Sequence, residues 1–183
     1  ITGVRRHAAH PSGTDLAPRL LFRNFVFGCA SLMDAAQAKA SLPFCPYYFH
    51  DHYLALWSAA HGLLYSEPKA LIQYRIHGTN QTGVMLGVKD KESYAACRIR
   101  NVIDQLTWLD QHFDCDDSLK QVIRDGLCWS KARLVNWQTG HEKQTVWRYP
   151  HLQPPVALLE LVAAGMPNWM VMTVGRMLRK NVI

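Results

Sequence analysis

Nowhere in the chain do two cysteines stand in a Cys-x-x-Cys pair, and the five present (Cys29, Cys45, Cys97, Cys115 and Cys128) make an odd number. A disulfide framework and a zinc knuckle are both excluded by that usage, which suits a reducing compartment. Charged residues are also scarce, at 19%, against the roughly one quarter usual in soluble domains. Yet 49% of residues are hydrophobic, which argues against wholesale disorder and supports one compact core or two small ones. Long apolar runs are missing as well. The most apolar stretch, "PPVALLELVAAGMPNWMVMTVGRMLRK", is interrupted by Glu160, Pro167 and Asn168, and no uninterrupted apolar run approaches the ~20 residues needed to span a bilayer. Dense basic tracts are absent too, with "VRRH" and "RMLRK" the nearest cases, so nucleic acid is not an expected partner. No initiating Met and no secretory signal are seen; the expectation is a piece of a longer, cytoplasmic protein.

What the sequence does carry is a basic balance, net charge +6 with pI ≈ 9.2, which favours anionic partners such as phosphorylated sugar donors or an acidic membrane surface. "LLFRNFVFGCASLM" at 20–33 is rich in aromatic and aliphatic residues around Gly28 and reads as a buried strand. "MDAAQAKA" reads as a helix capped by Asp34. "SLPFCPYYF", with two prolines, is a loop that delivers the chain to His50 and Asp51. A helix is expected from Asp51 to a stop at Gly62, followed by two short strands on either side of Pro68 and a loop at "GTNQTG". Beyond about residue 88 the pattern is helical. Ile99 to Phe113 and Leu119 to Trp137 each carry an apolar stripe, with "DCDDSL" as connector. A third helix is expected from Pro154 and Pro155 through Val162, and Asn168 is placed to cap a fourth.

The chemistry concentrates in "PYYFHDHYLALWSAAHG" and "YRIHGTNQTG". An Asp at a helix start ordinarily serves as a cap, at about 1 kcal/mol, and a His near a strand end is ordinarily structural. The order of features raises a second reading: an apolar segment ending in Gly-Cys, a proline loop, His-Asp opening a helix that stops at Gly, then Tyr-Arg-x-His followed by Asn and Gly. That order resembles the C-terminal half of the family-2 glycosyltransferases, especially bacterial rhamnosyltransferase-like members, over residues 24–84, about a third of the chain.

The resemblance implies a particular fold class: α/β, a partial GT-A (Rossmann-like) C-terminal half over 1–84, followed by an α-helical region over 85–183. It implies inverting transfer of a sugar from a nucleotide-sugar donor to a hydroxyl of a glycan or lipid-linked acceptor, in polysaccharide assembly at the inner face of a membrane. Asp51 would be the general base and His77 would lie near a divalent cation, Mn or Mg. Arg75, Thr79 and Asn80 would serve the donor phosphates or a closing loop. Gly28, Cys29 and His50 would line the acceptor side. The roles are chemically apt. A carboxylate within hydrogen-bond reach can take the proton of an attacking hydroxyl, and cationic groups stabilise charge on a departing diphosphate.

The nucleotide-binding half with its Asp-x-Asp motif has no counterpart here. The literal Asp114-Cys115-Asp116 falls after the Tyr-Arg-x-His motif, in a helix connector. The expectation is therefore an acceptor half, inactive alone, that meets its cation only with the missing half. Two rivals accompany it. One is a metal-dependent HD-type hydrolase using His50, Asp51 and His52 with His61 and His77. The other is a non-catalytic assembly or membrane-surface module whose late helices, with Trp169 and Met170 near Arg176, Arg179 and Lys180, rest on anionic lipid.

Overall fold

A computed structural model describes residues 11–69, 71–72, 87–149, 152–171 and 173. Its described part is helical, and there the α/β expectation fails. No strand or sheet occurs among the described residues. Among the described residues the single β-type contact is an isolated antiparallel bridge, Gly13 to Leu64, with N–H···O distances of 2.9 and 3.2 Å. A Rossmann-like half requires a ladder of paired strands, so the GT-A reading of 1–84, and the family resemblance built on it, are corrected. The aromatic segment 20–33 shows why. Its backbone is extended at Phe27 (φ −114°, ψ 124°) and Ser31 (φ −118°, ψ 142°), but a single 3-10 turn, Gly28–Ala30, lies between them. Strand-forming side chains set φ and ψ; a sheet also needs neighbours.

The chain separates into two compact units, one of 1–75 with 113–120, the other of 76–112 with 121–183. In the first, α1 (Ala17–Leu20) packs on α3 (His50–His61), and α2 (Ala35–Ala40) lies at the surface between them in sequence. Asp34 starts α2, its Oδ1 accepting from the N–H groups of Ala36 (2.8 Å) and Gln37 (3.1 Å), the cap that the sequence suggests. The Pro-containing loop 41–49 runs through a cis Leu42–Pro43 bond to α3. Leu20, Leu21, Leu56 and Tyr53 form the buried centre of this unit, and Phe113 closes it, meeting the rings of Tyr53, Trp57 and His61 edge-on.

The first described helix of the second unit opens on a reciprocal cap. Ser93 N–H donates to Asp90 Oδ1 (2.7 Å) while Asp90 N–H donates to Ser93 Oγ (2.9 Å). From there α4 (Lys91–Tyr94), a wide π turn (Ala95–Arg100) and α5 (Asn101–His112) follow one another directly. Asp116 caps α6 (Asp117–Thr139) through Leu119 N–H at 2.7 Å, which gives the Asp-x-Asp string a structural use. Next come α7 (Lys143–Trp147) and α8 (Pro154–Ala164), the latter opening on prolines whose missing N–H a first turn does not use. Val88, Tyr94, Ile99, Trp137 and Ala163 form the core here. Among the described residues no helix is long and apolar enough to cross a membrane.

Candidate functional site

Asp51 sits in the first turn of α3, one residue beyond its opening His50. The helix is capped from outside by the extended backbone of Phe49, which has no side-chain acceptor to offer. The carboxylate of Asp51 takes over part of that duty, its Oδ1 accepting from the His52 N–H at 2.7 Å. Such a first-turn N–H has no partner within the helix, and a carboxylate there also lies at the positive end of the dipole. Asp51 is therefore not the N-cap expected from the sequence, that place being taken by Phe49, and it contributes instead from the second helical position.

The same carboxylate reaches across to the segment that precedes α2. Gly28 N–H donates to Oδ2 at 3.1 Å and Asn24 Nδ2 donates to Oδ1 at 3.4 Å. Asn24 is itself folded back, its Oδ1 accepting from Val26 N–H at 2.9 Å. Gly28 approaches so closely that a Cβ at its position would fall 3.1 Å from His50 Nε2 and 3.3 Å from Asp51 Cβ. A side chain there would be tight, and the exposed His50 ring would have to give by a few tenths of an ångström. Gly28, His50 and Asp51, read from the sequence as one site, are therefore brought together. Cys29 is exposed beside them in the chain. Asn24 was not foreseen, and no local signal marks it: an Asn in an apolar stretch acquires meaning only from what folds onto it. Arg75, His77, Thr79 and Asn80 lie outside the described residues, so the hypothesised pairing of Asp51 with His77 has no geometry to report.

The carboxylate's hydrogen-bonding capacity is unevenly used. Two N–H donors on Oδ1 occupy both its lone pairs, and one on Oδ2 leaves a lone pair open. The site is at the surface, with Asp51 half-buried and His50 exposed. A hydroxyl arriving from solvent can donate to Oδ2 with an imidazole at its side.

The other two imidazoles of this region face elsewhere. His52 is buried, its Nε2 against the Leu20 carbonyl oxygen, with its ring edge-on to Tyr48 at 4.6 Å. Burial pushes its basicity below the ordinary value of 6.5, with the Leu20 carbonyl and the Asp51 charge opposing more weakly. Burial likewise raises the Tyr48 phenol, which donates to the Leu21 carbonyl at 2.9 Å. His61 stacks on Trp57 with centroids 3.8 Å apart. His50, Asp51, His52 and His61 hence do not converge as metal ligands, and among the described residues no group of three or more His, Cys, Asp or Glu is placed to hold an ion. Among the described residues this carboxylate is the one acidic group of the site, and no step is routed through a cation. No family model matches this chain, and no curated protein or solved structure does either.

Proposed function

We propose that the first unit binds the hydroxyl-bearing acceptor of a glycosyl transfer, with Asp51 as the general base, and that donor recognition is contributed by groups outside the described residues. The observation that carries this reading is Asp51 Oδ2, which accepts the Gly28 N–H alone and belongs to a half-buried residue at the surface. A base must be held still to take a proton at the moment of attack, and three N–H groups hold this one. The exposed rings of Phe27 and Phe49 precede Gly28 and His50 directly in the chain. They offer flat apolar surface of the kind a pyranose face packs against. In the reaction, a hydroxyl proton passes to Oδ2 as its oxygen bonds to the sugar's anomeric carbon and the nucleoside diphosphate departs.

The test is a titration of the isotope-labelled chain with neutral mono- and oligosaccharides, followed by amide resonances. Shifts at Gly28, Cys29, His50 and Asp51 are expected, weakened in Asp51→Asn. In the gene product that contains this chain, Asp51→Asn is expected to lower sugar transfer by about 10²–10⁴-fold. Saccharides that perturb no amide of 24–51, or an Asp51→Asn enzyme with undiminished transfer, would dispose of the assignment.

A further inference from the structure

Helix α8 is apolar on every side except at one residue, and that residue points inward. Glu160 is buried against Arg133 and Tyr94, so the surface of α8 is left with no charge at all. In its place Leu158, Leu159 and Val162 stand 55, 40 and 53% exposed, and Trp169, on the helical turn that begins at 168, stands 69% exposed. A surface helix of a water-bathed domain carries its charges outward and its leucines inward; α8 does the reverse. The flanking sequence supplies a second, independent observation. From residue 161 to 183 there are three basic residues, Arg176, Arg179 and Lys180, and no Asp or Glu.

We propose that the outer face of α8, with Trp169, docks on the interfacial layer of an anionic bilayer. Leucine, valine and indole side chains enter the boundary between headgroups and acyl chains, and the basic residues that follow engage lipid phosphates. Apolar area and cationic charge in series are the two contributions that hold an interfacial helix to such a surface. Indole is suited to that boundary, with an apolar body and one N–H to hydrogen-bond at the wet side. The charge pattern disfavours a second copy of the chain as occupant, because an isologous contact sets like against like. The inference is independent of the sugar site, which belongs to the other unit.

The experiment is flotation of the purified chain with vesicles of phosphatidylcholine alone and of phosphatidylcholine mixed with phosphatidylglycerol, at low and high salt. Retention on the mixed vesicles only, falling as salt rises, is expected. The triple variant Leu158→Ser, Leu159→Ser, Val162→Ser is expected to bind about tenfold less or weaker still. Arg176→Gln, Arg179→Gln and Lys180→Gln are expected to cost about fivefold for each charge removed and to flatten the salt dependence. Circular dichroism of the triple variant checks its fold; Trp169→Ala, a single exposed change, gives the same direction if that variant is unfolded. Absence of retention on anionic vesicles overturns the proposal, as does retention unaffected by the surface variants. So does a stable dimer, seen by sedimentation, that the triple variant splits.

Discussion

Arg133 and Glu160 meet as a sealed fork: the guanidinium Nε and Nη2 each lie 2.6 Å from a carboxylate oxygen, with both side chains shut off from water. Tyr94 adds its hydroxyl to Glu160 Oε1 at 2.9 Å, and the Arg98 carbonyl accepts from Arg133 Nη2 at 3.3 Å. The guanidinium also lies 4.3 Å from the centroid of the Trp129 ring. Every oxygen of this carboxylate has a donor, which is the condition for burying a charge without forfeiting the fold.

Removing one partner strands the other. Arg133→Met and Glu160→Leu, made singly, are each expected to destabilise by about 3–5 kcal/mol, while the double change is expected to be near neutral or stabilising. Urea unfolding of the four species as a double-mutant cycle checks this; additive losses would contradict it.

Ser130 has a different difficulty. Its Oγ is fully buried with no hydrogen-bond partner, in the middle of α6. Ser130→Ala is expected to raise stability by roughly 1 kcal/mol, through relief of that desolvation and better helix propensity, visible as a thermal midpoint higher by about 2–4 °C. A lowered midpoint would show that the hydroxyl has a partner in solution.

The buried His52 makes stability fall in mild acid. Its folded basicity is depressed below 6.5, so below that pH the unfolded chain takes a proton that the folded chain refuses. The stability gap therefore narrows as pH drops through 6.5 and stops changing beneath the folded value; above 6.5 the residue contributes no slope. His52→Gln removes the titration and keeps a donor for the Leu20 carbonyl. Urea midpoints across this range are expected to vary less in the variant than in the wild type.

Gly28→Ala is expected to push His50 aside and loosen the hold on Asp51, because the new methyl would stand 3.1 Å from an imidazole nitrogen and 3.3 Å from Asp51 Cβ. The imidazole is exposed and can yield, so the stability cost is set at about 1 kcal/mol. Saccharide-induced shifts at Asp51 should weaken with it. Unchanged saccharide binding would place the contact elsewhere.

For α2, Asp34→Ala is expected to cost about 1 kcal/mol and Asp34→Asn only a few tenths, since asparagine keeps the accepting oxygen. Amide exchange at Ala36 and Gln37, the two donors to Asp34 Oδ1, reads the cap directly.

Where sequence and structure agree, the information was local. Asp34 before an alanine-rich run, Gly62 after one, and prolines at 154 and 155 act within one turn of themselves, and the helices follow. The segment 20–33 misled because Phe25, Val26 and Phe27 specify an extended backbone and say nothing about what it pairs with. The acidic residue in the apolar 154–171 stretch was read only as a break in hydrophobicity. A lone carboxylate inside such a helix signals a counter-charge, but that the counter-charge is Arg133 depends on how α6 and α8 pack. The hydrogen bonds of Gly28 and Asn24 to Asp51 were not legible, because each depends on a fold-back across more than twenty residues.

The wide turn from Ala95 to Arg100 bears on how this chain tolerates changes of length. Losing one residue from an ordinary α-helix swings everything beyond it by about 100°, which dismantles any face already packed. The Asn101 N–H reaches back five residues, to the carbonyl of Ala96, so this turn already carries one residue more than an α-helical path requires. A single deletion between 96 and 98 would let the backbone close into regular α-helix while Tyr94 and Ile99 kept their faces. Elsewhere along 91–112 the same deletion has no slack to draw on.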